Sequence, residues 1–163
     1  MVMQKDPEQG ADRRRQAPPA EPAVEDHGRA VTATMQAAAF YRQAQQAVDS
    51  PHAVTALRLA VTADPAFGLA VADLDAITAA PPRRISGRQM NWERHHIEVV
   101  QAAAAGNLSR AADMLREHLA SVGCDPLAMR ILTDLQQRLE HQGDFDDLHR
   151  RSLDCHPAWQ AVP

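Results

Sequence analysis

The chain has 163 residues, a formal charge of −4 and an apolar fraction of 45%, in which 31 alanines far outnumber the aromatics Phe40, Tyr41, Phe67, Trp92, Phe145 and Trp159. Alanine favours helix and lets helices approach closely but buries little area, so the expected class is a thinly cored all-α domain. The acidic balance argues against nucleic acid as a partner, no apolar run of about 18 residues offers a membrane span, and Cys124 and Cys155, outside any C-x-x-C pair, cannot build a disulfide framework; a soluble, cytoplasmic protein is expected.

Residues 1–28 hold Pro7, Pro18, Pro19 and Pro22 among charged and amide side chains, with little to offset the entropy of ordering, and read as a disordered tail. From Ala30 a helical period begins, with Ala37, Phe40, Tyr41, Ala44, Ala47 and Val48 at steps of three and four. Ser50-Pro51 stops that helix and starts a second, the serine as cap and the proline at the first position, where its missing donor is not needed. Ala53, Leu57, Ala60 and Val61 form its stripe. Asp64-Pro65 repeats the device before a third helix with Phe67, Ala70, Val71, Leu74 and Ile77. The run Ala80-Pro81-Pro82-Arg83-Arg84-Ile85 breaks helix and is the best internal boundary. Ser86 with Gln89 fits a capping box for a fourth helix carrying Trp92, Ile97, Val100, Ala103 and Ala104. Gly106 ends it in a left-handed conformation, and Ala111, Ala112, Leu115, Leu119 and Val122 make a fifth. Asp125-Pro126 opens a sixth, with Ala128, Ile131, Leu132, Leu135 and Leu139. Gly143-Asp144 opens a short seventh with Phe145, Leu148 and Leu153, closed by His156-Pro157. The expected division is a tail 1–28, a helical domain 29–155 in units of about 29–80 and 86–155, and a tail 156–163.

The segments Gly106-Asn107-Leu108-Ser109-Arg110-Ala111 and Gly143-Asp144-Phe145-Asp146-Asp147-Leu148 repeat one punctuation 37 residues apart, the mark of stacked helical hairpins. Ala53, Leu57, Ala60 and Pro65 resemble the second helix of a tetratricopeptide repeat and the proline that starts its next hairpin. More narrowly, Asp64-Pro65-Ala66-Phe67-Gly68-Leu69-Ala70, Trp92-Glu93-Arg94-His95-His96-Ile97 and Ala104-Ala105-Gly106-Asn107 are similar to the tetratricopeptide repeat protein 38-like family, over about residues 31–155. The resemblance implies a right-handed tetratricopeptide-like array of about seven helices in antiparallel hairpins, interrupted at the Pro-Pro-Arg-Arg connector. It implies no chemistry. His118 departs from the pattern, standing where a small residue is usual.

Glu93-x-x-His96 and Asp146-x-x-His149 each put a carboxylate and an imidazole on one helix face, as in carboxylate di-metal bundles. A full site of that kind needs two more carboxylates, and His96, on the apolar side with Trp92 and Val100, also suits a hydrogen-bonded core histidine. Cys155 beside His156, or Cys124, lacks the third group that would orient a nucleophile. Arg13-Arg14-Arg15 and Arg83, Arg84 and Arg88 read as solvated charge.

The function expected on these grounds is a non-enzymatic helical-repeat scaffold, binding a protein or peptide through an inner groove in a regulatory or assembly role, without cofactor. Its groove is lined by the first helix of each pair, which makes Tyr41, Gln45, Trp92, His95, Gln101, Arg130, Asp134 and Arg138 the candidate partner-binding residues; no catalytic or metal-ligating residue is assigned. The alternative is a small-molecule or metal-binding sensor or enzyme with its site near Glu93, His96 and His149. A homo-oligomer formed through the alanine-rich helices is a further expectation.

Overall fold

The computed structural model describes residue 23, residues 29–47 and 51–138, and residues 147, 148 and 150. Among the described residues six helices pack together in an all-α fold: α1 Met35–Gln46, α2 Pro51–Ala63, α3 Gly68–Ile77, α4 Asn91–Ala104, α5 Leu108–Val122 and α6 Pro126–Arg138. None of them is long and apolar enough to cross a membrane. The expected seventh helix and both tails lie almost wholly outside the described residues.

Helix starts follow side-chain capping, which in three places moves them from the sequence expectation. Helix α1 begins after Thr34, whose Oγ1 accepts the Ala37 N–H at 3.2 Å, so residues 29–33 are non-helical, with a bend at Thr32 and Ala33, instead of a first helical turn. Asp64 closes a turn of its own, accepting the Ala66 N–H on Oδ1 and the Phe67 N–H on its carbonyl, both at 3.1 Å; α3 therefore starts at Gly68, not at Pro65. Helix α4 starts at Asn91 because Glu93, rather than Gln89, turns back to accept the Met90 N–H at 2.6 Å. Pro51 and Pro126 do open α2 and α6, and Gly106 and Gly123, at φ 82° and 83°, take the left-handed conformation that ends α4 and α5.

Helix α1 packs chiefly on α2 and α4 on α5, as expected of helices joined by short turns. Helix α3 lies between the pairs, against α2 and α4, and α6 closes over α3, α4 and α5. Ala37, Ala44, Ala60, Ala70, Ala103, Ala111 and Ala128 are fully buried, which brings the helix backbones close together. Larger side chains fill the remainder: Tyr41 meets Phe67 edge to face at 5.1 Å, and Leu57, Leu69, Leu115, Leu127 and Ile131 are buried in the same core. Helix α3 is enclosed so completely that Asp73, in the middle of an apolar run, has no path to water.

Candidate metal centre

Four helix segments each deliver one polar side chain to the point where α3, α4, α5 and α6 meet. Asp73 comes from the middle of α3, His96 from the second turn of α4 and His118 from the last turns of α5. Asp125 is the residue before α6, where its Oδ1 accepts the Ala128 N–H at 3.1 Å in the manner of an N-cap. All four are buried to within 1% of completely.

His96 is the hinge of the arrangement. Its Nε2 lies 2.7 Å from Asp73 Oδ1 and its Nδ1 2.6 Å from Asp125 Oδ2. Asp125 Oδ2 is also 2.9 Å from His118 Nε2, and Asp73 Oδ2 accepts the Tyr41 hydroxyl at 2.7 Å. A neutral imidazole has one donor and one acceptor, so a ring held between two carboxyl groups is either an imidazolium or faces a protonated acid. Burial on its own would lower the His96 pKa, but the Asp125 and Asp73 charges and hydrogen bonds outweigh it and raise it to about 10. Burial likewise works against ionised Asp125, yet the His96 charge and the His118 hydrogen bond bring its carboxyl well below the usual range. At Asp73 burial prevails and raises the carboxyl in spite of His96 and Tyr41. The network thus retains a proton, shared toward the Asp73 side, while Asp125 stays anionic.

Two features of this charge balance suit a cation. Two buried carboxylates against one imidazolium leave an excess negative charge, which is costly in an apolar core. His118, with Nε2 turned to Asp125, has no partner for Nδ1 among the described residues. One candidate ligand atom from each of His96, His118 and Asp125 lies within 4.8 Å of the other two, a spacing that a single metal ion can bridge. Nitrogen and oxygen donors of this kind hold zinc and its neighbours. Asp73 then stands behind His96 as the carboxylate that fixes the ring, with Tyr41 fixing Asp73 in turn.

The cluster overturns the expectation of a non-enzymatic scaffold with no site in its core: a surface-presenting repeat gains nothing from gathering His96, His118 and Asp125 in a dry interior, and the metal-site alternative is the one supported. That alternative also needs correcting in its residues. Glu93 is buried but its carboxylate is taken up by Thr32, whose N–H it accepts on Oε1 at 2.7 Å, and by the Met90 N–H, and His149 lies outside the described residues. Of the candidate partner-binding residues, Tyr41 and Gln45 are buried, Tyr41 as the donor to Asp73. Trp92 is half-buried, its Nε1 donating to the Ala30 carbonyl at 3.1 Å, and His95 is exposed. Half-buried Gln101 donates to the Arg83 carbonyl at 3.1 Å, and Arg130 pairs with Asp134 at 2.9 Å one turn along α6. The Arg138 side chain lies outside the described residues. The structure brings His96 together with three residues to which the sequence analysis gave no ligand role, Asp73, His118 and Asp125. Two of them carried a signal: Asp73 is an aspartate inside the apolar run of α3, and His118 a histidine at the small-residue position of a repeat helix. Comparison with protein-family models, with curated proteins and with solved structures gave no match.

Proposed function

We propose that this chain is a metal-binding helical protein that takes one divalent transition-metal ion on His96, His118 and Asp125, and that it serves as a metal-responsive sensor. The observation that carries the reading is the convergence of three ligand atoms within 4.8 Å in a fully buried setting. Zinc(II) is the best match to two imidazoles and a carboxylate. Ligand atoms around a tetrahedral zinc stand about 3.3 Å apart, so the present contacts of 2.6 and 2.9 Å need only a small outward movement to admit the ion. The cation would take the place of the proton on His96 Nδ1, which faces Asp125, leave the Nε2 proton with Asp73, and balance the buried carboxylates. Because the ligands belong to α4, α5 and the start of α6, occupancy would bias how those helices pack, which is what a sensor requires. Three protein ligands instead of four is also the count of catalytic zinc sites, which favours metal-activated water as a second reading once the site opens.

We propose in addition that the helical hairpins are tetratricopeptide-like and that the array is interrupted after α3, in keeping with the resemblance to the tetratricopeptide repeat protein 38-like family. Supporting this, Ala53, Leu57 and Ala60 turn inward together on α2, as do Ala111 and Leu115 on α5.

The test of the metal reading is thermal melting of metal-stripped protein with zinc, cobalt, manganese and magnesium. Zinc or cobalt at a hundredfold excess over Kd is expected to raise Tm by about 5–10 °C, and the rise is expected to vanish in His118→Ala. A flat panel would contradict the proposal.

A further inference from the structure

A non-helical strap, residues 29–32, runs ahead of α1 and is fastened to the start of α4 and to the α5–α6 corner, next to the ligands. Its anchors sit beside the ligands in sequence. The Arg29 guanidinium donates to the carbonyl of Cys124, the residue before Asp125, at 3.1 Å and lies 4.4 Å from the centre of the Trp92 ring. Trp92 Nε1 donates to the Ala30 carbonyl at 3.1 Å, one turn before His96. Thr32 gives Glu93 both its N–H, at 2.7 Å, and its hydroxyl. Glu93 is 1% exposed, so the strap supplies much of what makes that carboxylate tolerable in the interior. Val31, 4% exposed, plugs the strap into the core. Beyond Ala33 the chain is fixed again, where Thr34 caps α1 and donates its N–H to Asp64 Oδ2 at 3.0 Å. The Val31 N–H also donates to the carbonyl of buried Ala23 at 2.8 Å, so lifting the strap at residue 33 means releasing that bond together with the Arg29, Ala30 and Thr32 contacts, none of which is a bond within a helix.

Resting on the metal reading above, we infer that the 29–32 strap is the gate of the buried site, and that a divalent cation enters and leaves only when Arg29, Val31 and Thr32 come away from Trp92, Glu93 and the α5–α6 corner. The closed strap keeps water from the ligands and holds a positive guanidinium at the entrance, so exchange is slow without the strap contributing a ligand. The kinetic mark of a gate is that easing it speeds entry and exit alike and leaves the equilibrium nearly unchanged.

The experiment is stopped-flow zinc uptake from a chromophoric chelator, and zinc release into excess EDTA, on the full chain and on Arg29→Ala, Trp92→Phe and Thr32→Val. Losing one anchor is expected to raise both rates about tenfold while Kd stays within about threefold. Unchanged rates in all three variants, with zinc still bound, would overturn the gate and leave the metal site standing. Faster release alone, with weaker Kd, would overturn it too, making the strap a part of the site's affinity. If the unaltered chain takes up no zinc, the metal reading fails and the gate with it. Thr32→Val keeps the backbone donor to Glu93 and the side-chain shape, so it remains informative if a larger change at Trp92 impairs folding.

Discussion

His96 draws its place from two acids, and the consequences of that can be measured in metal-free protein. Its pKa of about 10 stands above the unfolded value of about 6.5, so the stability it lends is complete below about pH 6.5 and is lost progressively as pH rises through 10. Asp125, held low, acts with the opposite sign: its contribution is present above about pH 4 and is lost in acid. Metal-free protein is expected to melt at falling temperature from pH 7 to 10, whereas zinc-loaded protein keeps its Tm over that range because the metal, not a proton, holds the ring. Melting curves taken with EDTA and with zinc check this. Tyr41→Phe removes the hydroxyl that donates to Asp73 at 2.7 Å and is expected to cost about 1–2 kcal/mol of stability and about tenfold in zinc affinity, read by denaturant unfolding and by chelator competition. By contrast the half-exposed Arg116–Asp147 pair at 2.9 Å, although it holds Asp147 at about 2, is screened by solvent and contributes little. At this scale the sequence made His96 legible as a core histidine near carboxylates. It concealed the partners, because Asp73, His118 and Asp125 are 23, 22 and 29 residues from it and only the crossing of four helices brings the groups together.

Helix ends carry much of the organisation, and Asp125 has two duties at one of them. Asp125→Asn leaves an oxygen to accept the Ala128 N–H, so α6 keeps its cap, while the charge facing His96 and His118 is lost. Zinc binding is expected to fall at least tenfold in this variant with far-ultraviolet circular dichroism unchanged. At the start of α3, a Cβ on Gly68 would lie 2.7 Å from Ile85 Cγ2 and 3.0 Å from Ile97 Cδ1. Gly68→Ala is expected to destabilise by about 1 kcal/mol, since the overpacking exceeds the gain in helix propensity; urea unfolding checks it. Helices whose limits are set locally, by Pro51, Gly106 or Pro126, were readable from the chain alone. The starts of α1, α3 and α4 were not, because several residues near each could cap it and the sequence does not rank Thr34, Asp64 and Glu93 above their neighbours; at Glu93 the choice is also tied to Thr32 across 61 residues, a contact no local period records.

For the molecule as a whole, the thin alanine core and the charged centre belong together. Small side chains bring α3, α4, α5 and α6 near enough for one acid and one imidazole to reach across each gap, where a core of leucines would hold them apart. A metal at that junction would tie three chain segments at once and stabilise a core that apolar area alone supports weakly. The all-helical class was legible from composition and period. The scaffold function inferred from it was not sound, since repeat punctuation describes how hairpins stack and is silent about what is enclosed between them. The most direct measurement is zinc K-edge X-ray absorption on the protein loaded with one equivalent of zinc. The expected spectrum has nitrogen and oxygen neighbours at about 2.0–2.1 Å with the outer-shell scattering of two imidazoles, and that outer-shell scattering falls away in His118→Ala. A sulfur shell at about 2.3 Å, or a spectrum unaltered by that substitution, would contradict a His96, His118 and Asp125 centre.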